Sequence, residues 1–201
     1  MAIQHEHWIS LEEYHEIERN SEVRYEYADG HVYERQGETI AHSRVAMNMV
    51  AKLHDHLWDK TCDVANSIVK VLPLDGENPS YYPDATVTCN PDDYHDDSMA
   101  IRSPHLIVEV LSPLTFARDR GEKLYAYQAC KSCEEYVLVS THHQAIEVYH
   151  RESANIWTLT RYMAQDSAQL ASIGLIVPVA EIYVQTHIPS LELPASALYA
   201  Y

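Results

Sequence analysis

The order of segments along the chain predicts an α/β (mixed α+β) fold, a central mixed β-sheet flanked by helices. Three observations carry that expectation. Two stretches, near residues 10–20 and 40–58, repeat apolar side chains at steps of three and four. The run VRYEYADGHVYE alternates apolar and polar residues on either side of Asp29-Gly30. Later, the short runs ATVTC, HLIVEVLS, EYVLVS and AIEVYH read as strands separated by polar turns.

Each element has a local cause. Ser10 followed by Leu11, Glu12 and Glu13 forms a capping-box pattern, so a first helix is expected from about Ser10 to Asn20, with Leu11, Tyr14 and Ile17 on one face. Asp29-Gly30 suits a tight turn between two paired strands. From Ile40 to Trp58, the spacing of Val45, Met49, Val50, Leu53 and Leu57 predicts a longer helix covering one sheet face. Strands follow around Cys62 to Ala65 and Ser67 to Leu72, until the loop from Pro73 to Ser80 ends the pairing.

Pro83-Asp84 opens the strand ATVTC, and HLIVEVLS comes after a polar loop from Asn90 to Ser103; these two strands are expected to be neighbours. Arg118 to Lys131 is helical in composition, and IWTLTRYM and the segment Gly174 to Val184 read as edge strands and a closing short helix. Residues 1–184 are expected to form one domain and 185–201 a tail.

The 201 residues carry 14 Lys+Arg against 30 Asp+Glu, a formal charge of −16. That excludes a basic nucleic-acid coat or a histone-like binder. The longest apolar stretch, near Ile173 to Ala180, is broken by Gly174 and Pro178 and is far short of the roughly 20 residues that cross a bilayer. The opening MAIQHEHWIS has His and Glu where an export signal needs Lys or Arg and an apolar run, so a cytoplasmic protein is expected. In that compartment Cys62, Cys89, Cys130 and Cys133, unevenly spaced, are expected to be reduced thiols.

The chemistry is concentrated in a few acids. Glu109 interrupts the apolar strand LIVEVL, and a carboxylate there costs several kcal/mol unless a cation or donor compensates it. Asp84, at the start of the neighbouring strand, can present its side chain at the same end of the sheet. Two such acids make the hard-oxygen site that Mg²⁺ or Mn²⁺ prefers, with Glu26 as a third ligand and Lys123 as a nearby positive charge. Phosphodiester cleavage uses those parts.

The strings YYPDATV, PHLIVEVLSPLT and RDRGEKLYAY, with YEYADGHVY and the AHS that precedes the second helix, resemble the Uma family of putative endonucleases over about residues 8 to 184. The resemblance implies a restriction-endonuclease-like fold of the PD-(D/E)xK kind, with a divalent-metal site and DNA as substrate. Carried over by position, Asp84 matches the motif aspartate, Glu109 the second acid and Glu26 the acid from the N-terminal part. The chain departs from the parent pattern two residues after the second acid, where Leu111 stands instead of lysine. Lys123 then looks like that lysine moved to the following helix. His42, Ser112, Arg118 and Arg120 complete the candidate set as substrate contacts.

Plainer readings stand beside these. Asp84 can cap a turn, Glu26 can face solvent on an alternating strand, and Glu109 can pair with Arg118 or Arg120. Lys123 can pair with Asp119 four residues earlier. Ser112 can cap a turn and His42 a helix start. Cys130-Lys131-Ser132-Cys133 has CxxC spacing but lacks the second pair a zinc site needs, and Asp92, Asp93, Asp96 and Asp97 form an acidic loop that reads as solvated.

The function expected is a Mg²⁺- or Mn²⁺-dependent DNA endonuclease, helped by a local basic strip of Arg102, Arg118, Arg120, Lys123 and Lys131, and compatible with a homodimer. The alternative is a binding or assembly module that keeps the fold with little catalysis, motivated by the acidity and by Leu111.

Overall fold

The computed structural model describes residues 8–73, 78–93, 95 and 97–191. Helix α1 (Leu11–Arg19) is closed by the full capping box between Ser10 and Glu13. It packs on the hairpin β1 (Tyr25–Ala28) and β2 (His31–Glu34) through Tyr14, Tyr27 and Val32. The hairpin turn holds Asp29 at φ 46° and Gly30 at φ 80°, the left-handed pair that lets two residues reverse a strand.

Helix α2 (Ile40–Leu57) begins at the cap Thr39 and buries His42, Val45, Met49, Leu53 and Leu57 along one stripe. Strands β3 (Asp63–Asn66), β5 (Ala85–Thr88), β7 (Pro104–Leu111), β8 (Glu135–Ser140), β9 (Ala145–Ser153) and β10 (Ile156–Met163) form a six-stranded sheet. Its order is β10-β9-β8-β7-β5-β3, and only β7 and β8 run parallel, so the sheet is mixed and the ATVTC and HLIVEVLS strands are neighbours.

The period of two along β7 divides the core. Leu106, Val108 and Val110 face α2, together with Val137 and Val139 of β8. Ile107 and Leu111 face the other way, with Tyr136 and Leu138, onto Tyr127, Cys130 and Cys133. Glu109 has the parity of that second face.

Three local expectations change. The strand expected over Ser67–Leu72 shrinks to β4 (Lys70–Val71), which leaves the main sheet to pair in parallel with β6 (Ala100–Ile101). The helix expected over Arg118–Lys131 is instead α3 (Phe116–Asp119) and α4 (Glu122–Ala129), broken at Arg120-Gly121. A Cβ on Gly121 would stand 3.0 Å from the Ala117 carbonyl oxygen, a tight contact that glycine avoids at this bend. Asp93 of the acidic loop is not simply solvated: it accepts from Thr88 Oγ1 and from the N–H groups of Arg102 and Ser103, pinning the loop to the sheet.

A fourth correction concerns the thiols. Cys62 and Cys89 form a disulfide, while Cys130 and Cys133 are free and buried. Linear spacing hides this pair because antiparallel register creates it: Asp63 pairs with Thr88, so the bonded cysteines are the next residues outward. Reduction should release a loop of 27 residues and lower stability by about 2–4 kcal/mol, read as a lower urea midpoint in dithiothreitol.

The chain closes with β11 (Ser167–Leu170), β12 (Leu175–Pro178) and α5 (Val179–Ile182), which extend the α2-side core. Residues 185–191 lie along the domain, with Ile188 buried and Gln144 bonded to the carbonyls of Ile188 and Pro189. The rest of the expected tail, 192–201, lies outside the described residues. No helix among the described residues is long and apolar enough to cross a membrane.

Candidate active site

Sheet register brings the acids together. Ala85 pairs with Val108, so Asp84 falls opposite Glu109 one step further along, and Asp84 Oδ2 accepts the Val110 N–H at 2.8 Å. Reciprocal backbone bonds of 2.9 and 2.8 Å between Tyr27 and Ser80 dock the hairpin beside this edge. Glu26 is thereby buried, and its Oε1 accepts the Tyr82 N–H at 3.1 Å. The bend before α4 turns Lys123 inward from the first helical turn.

Lys123 is 2% exposed. Its Nζ lies 2.9 Å from Glu109 Oε1, 3.1 Å from Glu26 Oε1 and 3.4 Å from Asp119 Oδ1. Arg118 donates to the other Glu26 oxygen at 3.0 Å and to Glu122 at 2.9 Å, with its guanidinium 3.4 Å from the centroid of the Tyr33 ring. His42 Nε2 is 2.9 Å from the Val110 carbonyl oxygen and 3.4 Å from Asp84 Oδ2. Arg35 reaches within 3.8 Å of Asp84 Oδ1 while donating to the Ser67 carbonyl.

Charge in this pocket is unevenly met. Burial pushes the Glu109 carboxyl well above its ordinary range; Lys123 opposes the push, and Asp119, Asp84 and Glu26 add to it. Burial acts on Glu26 in the same sense, but Lys123, Arg118, the Tyr82 N–H and Arg35 together hold that carboxyl below its usual value. Burial alone would strip the Lys123 proton, yet Glu109, Glu26 and Asp119 hold it on the amine well above the normal lysine range. For His42 the penalty of burial is outweighed by Asp84, Glu38 and the Val110 carbonyl, which raise its proton affinity.

The structure thus gathers Asp84, Glu109, Glu26, Lys123, His42 and Arg118 into one recess of about 80 Å³. Ser112 does not line the recess; it is buried, and its Oγ accepts the Thr115 N–H at 3.3 Å and caps the turn after β7. Arg120 points elsewhere, pairing with Glu147 at 2.5 Å, next to Arg161. The cation for Glu109 is therefore Lys123, not either arginine.

Sequence reading missed Arg35, Glu122 and the structural weight of Asp119. Arg35 left no pattern to find. Asp119 and Glu122 were visible inside RDRGEK, three residues apart and spanning the helix break.

Among the described residues, no three or more His, Cys, Asp or Glu side chains are arranged to hold a metal ion by themselves. The donor set nevertheless suits a small hard cation. Mg²⁺ typically takes one or two carboxylates and leaves its other positions to water and phosphate. Glu109 on β7 and Asp84, the residue before β5, supply two buried carboxylates in a pocket whose acids outnumber its cations.

A family profile described as "Uma2: Putative restriction endonuclease" matches residues 11–182. The chain is similar to the uncharacterised protein slr1290 of a Synechocystis strain, 35% identical over 175 residues that cover 87% of this chain and 91% of the relative. A second Synechocystis protein, sll1609, is 25% identical over 160 residues, 79% of this chain and 90% of its own length. Among solved structures, a crystal structure of a putative nuclease belonging to DUF820 from Anabaena variabilis aligns with a TM-score of 0.70 at 14% identity. That alignment covers 87% of this chain and 97% of the other, and it shows a shared fold. The profile spans both acids and the helix that carries Lys123, and with slr1290 it shows that the chain belongs to the Uma2 family, described as putative restriction endonucleases.

Proposed function

We propose that the protein is a Mg²⁺- or Mn²⁺-dependent endonuclease that hydrolyses DNA phosphodiester bonds. The observation that carries this reading is the placement of Lys123 Nζ between Glu26 and Glu109, in a recess that Asp84 also lines. Asp84 and Glu109 hold the ion; Glu26, expected as a third ligand, has both oxygens engaged by Lys123, the Tyr82 N–H and Arg118, and assists from the hairpin by fixing those two cations. A divalent ion there supplies Lewis-acid polarisation of the phosphodiester and a more acidic water.

The chain's own groups do the rest. The Lys123 ammonium, held charged by three acids, lies where negative charge grows on the phosphoryl group and stabilises it. Asp84 is oriented by the Val110 N–H and His42, so its position is fixed before substrate arrives. Burial of the acids keeps bulk water from competing for the site.

The test is cleavage of plasmid DNA with Mn²⁺ or Mg²⁺. Asp84→Asn retains an oxygen for the Val110 N–H but loses the charge, and activity is expected to fall by at least about 100-fold. Wild type that cuts no better than its EDTA control, or an Asp84→Asn variant as active as wild type, refutes the reading. The first outcome would favour the catalytically weak binding or assembly module, to which the charge of −16 already points.

The same reading places the protein in the cytoplasm and admits a homodimer. The Cys62–Cys89 bond stands against that compartment, since cytosolic thiol pools keep most cysteines reduced. Thiol titration of denatured protein isolated without reductant tests the bond itself: two reactive thiols are expected, and four would mean that it does not form.

A further inference from the structure

The recess does not open directly to solvent on a flat face. It leads into a groove of about 800 Å³ with which it shares Arg35, His42 and Asp84. That groove shares Glu22, Val23 and Arg24 with a second one of about 700 Å³, so the recess and the two grooves adjoin in series along one surface. Arg35, Arg24, Arg19, Lys70 and Arg102 line it, five of the chain's 14 Lys+Arg. In the two grooves Glu18, Glu22, Glu38 and Asp84 accompany them, five cations to four acids, and Glu18 is engaged by Lys70 and by the Tyr82 hydroxyl. On a molecule of charge −16, two grooves with one more cation than acids are a local relief from the acidic surface, and they lead toward the acid cluster.

Two further features narrow what the grooves fit. Their walls carry apolar side chains left in solvent, among them Met99 at 86% exposure, Met47 at 66% and Ile68 at 59%. Guanidinium groups beside exposed aliphatic surface offer charge to phosphates and apolar contact to unstacked bases. The acids are also deep: Glu109 and Glu26 are 4% exposed and Asp84 7%. A phosphate reaches them only on a backbone flexible enough to bend into the recess, which a stacked duplex resists.

We propose that the substrate enters as single-stranded DNA, laid along the Arg19–Lys70–Arg24–Arg35 grooves to the acid cluster. This rests on the nuclease reading and specifies the form of DNA that it acts on. Arg19, Arg24 and Arg35 track the backbone beside the Lys70–Glu18 pair, and the exposed Met and Ile side chains meet the bases. A duplex, rigid and densely charged, gains less from the grooves and meets the full repulsion of the acidic surface.

The test uses the full chain in EDTA at low salt, so that nothing is cut. Fluorescence anisotropy compares a labelled strand of about 20 nucleotides with the blunt duplex of the same sequence. The single strand is expected to bind at least tenfold more tightly. Arg19→Glu with Arg24→Glu, both at exposed positions, should weaken single-strand binding at least tenfold and reduce the steepness of its salt dependence by about 1.4 on a log–log plot. Should thermal melting show that pair misfolded, Arg19→Gln with Arg24→Gln should still weaken binding several-fold. Duplex binding as tight as single-strand binding, or folded variants that bind like wild type, overturns the inference. Asp84-dependent cleavage without single-strand preference would sink only this proposal. Single-strand binding in the grooves with no Asp84-dependent cleavage would sink only the nuclease reading.

Discussion

Lys123→Met is expected to destabilise the protein by about 3–5 kcal/mol, because it removes the ammonium shared by three buried acids. Arg118 would still meet Glu26, but among the described residues no other Lys or Arg side chain forms an ion pair with Glu109 or Asp119. The sign with pH is fixed. Since the acids raise the Lys123 proton affinity above its ordinary 10.5, its contribution is complete below that value and is lost only as pH rises through the folded-state value. At neutral pH the whole penalty should therefore appear in a urea titration. Millimolar Mn²⁺ should stabilise the variant more than wild type, since the vacated acids then need a cation. Cleavage should fall about 100-fold even under conditions where the variant is folded. Lys123→Arg should not restore it, as a planar fork cannot take the place of a point charge among three carboxylates. A Lys123→Met variant as stable as wild type would mean that the ammonium does not bind this cluster.

Glu109→Gln is expected to show the opposite pattern. The fold should change by less than about 1 kcal/mol, because Lys123 keeps Glu26 and Asp119 while repulsion among the acids eases. Metal affinity and cleavage should drop by at least about 10-fold and 100-fold. Here too the pH sign follows from the shift. A carboxyl raised above its ordinary 4.5 costs stability as pH climbs from that value to its folded-state one, so the variant should lose less stability over that range than wild type. Because metal binding needs the ionised carboxylate, uptake by wild type should be accompanied by release of whatever proton Glu109 holds, and affinity should rise with pH. Calorimetry in two buffers of different ionisation enthalpy measures the release. Equal metal affinity in Glu109→Gln and wild type would remove Glu109 from the site.

What could be read from the sequence was what has a short-range cause. The capping box at Ser10, the Asp29-Gly30 turn, the stripe on α2 and the strand alternation are all local, and each is found at its place. The pairing of β5 with β7 was legible because two apolar strands flanked one loop. Glu109 could be flagged since a lone acid in an apolar strand demands a cation, but which cation was a matter of geometry. Lys123 wins over Arg118 and Arg120 because the break at Gly121 turns α4's first residues toward the odd-numbered face of β7. The Cys62–Cys89 bond and the Arg35–Asp84 approach depend on register between segments far apart in the chain, which spacing does not encode. Arg120 carries the same local signal as Arg118, yet faces Glu147 across the fold.

The most direct test of the metal site is a calorimetric titration of Mn²⁺ into wild type, Asp84→Asn and Glu109→Gln, since it needs no knowledge of the substrate. The site described here predicts saturable binding to wild type that either substitution removes or weakens at least about 10-fold. Binding of equal strength in all three, or none in wild type at millimolar Mn²⁺, would contradict it.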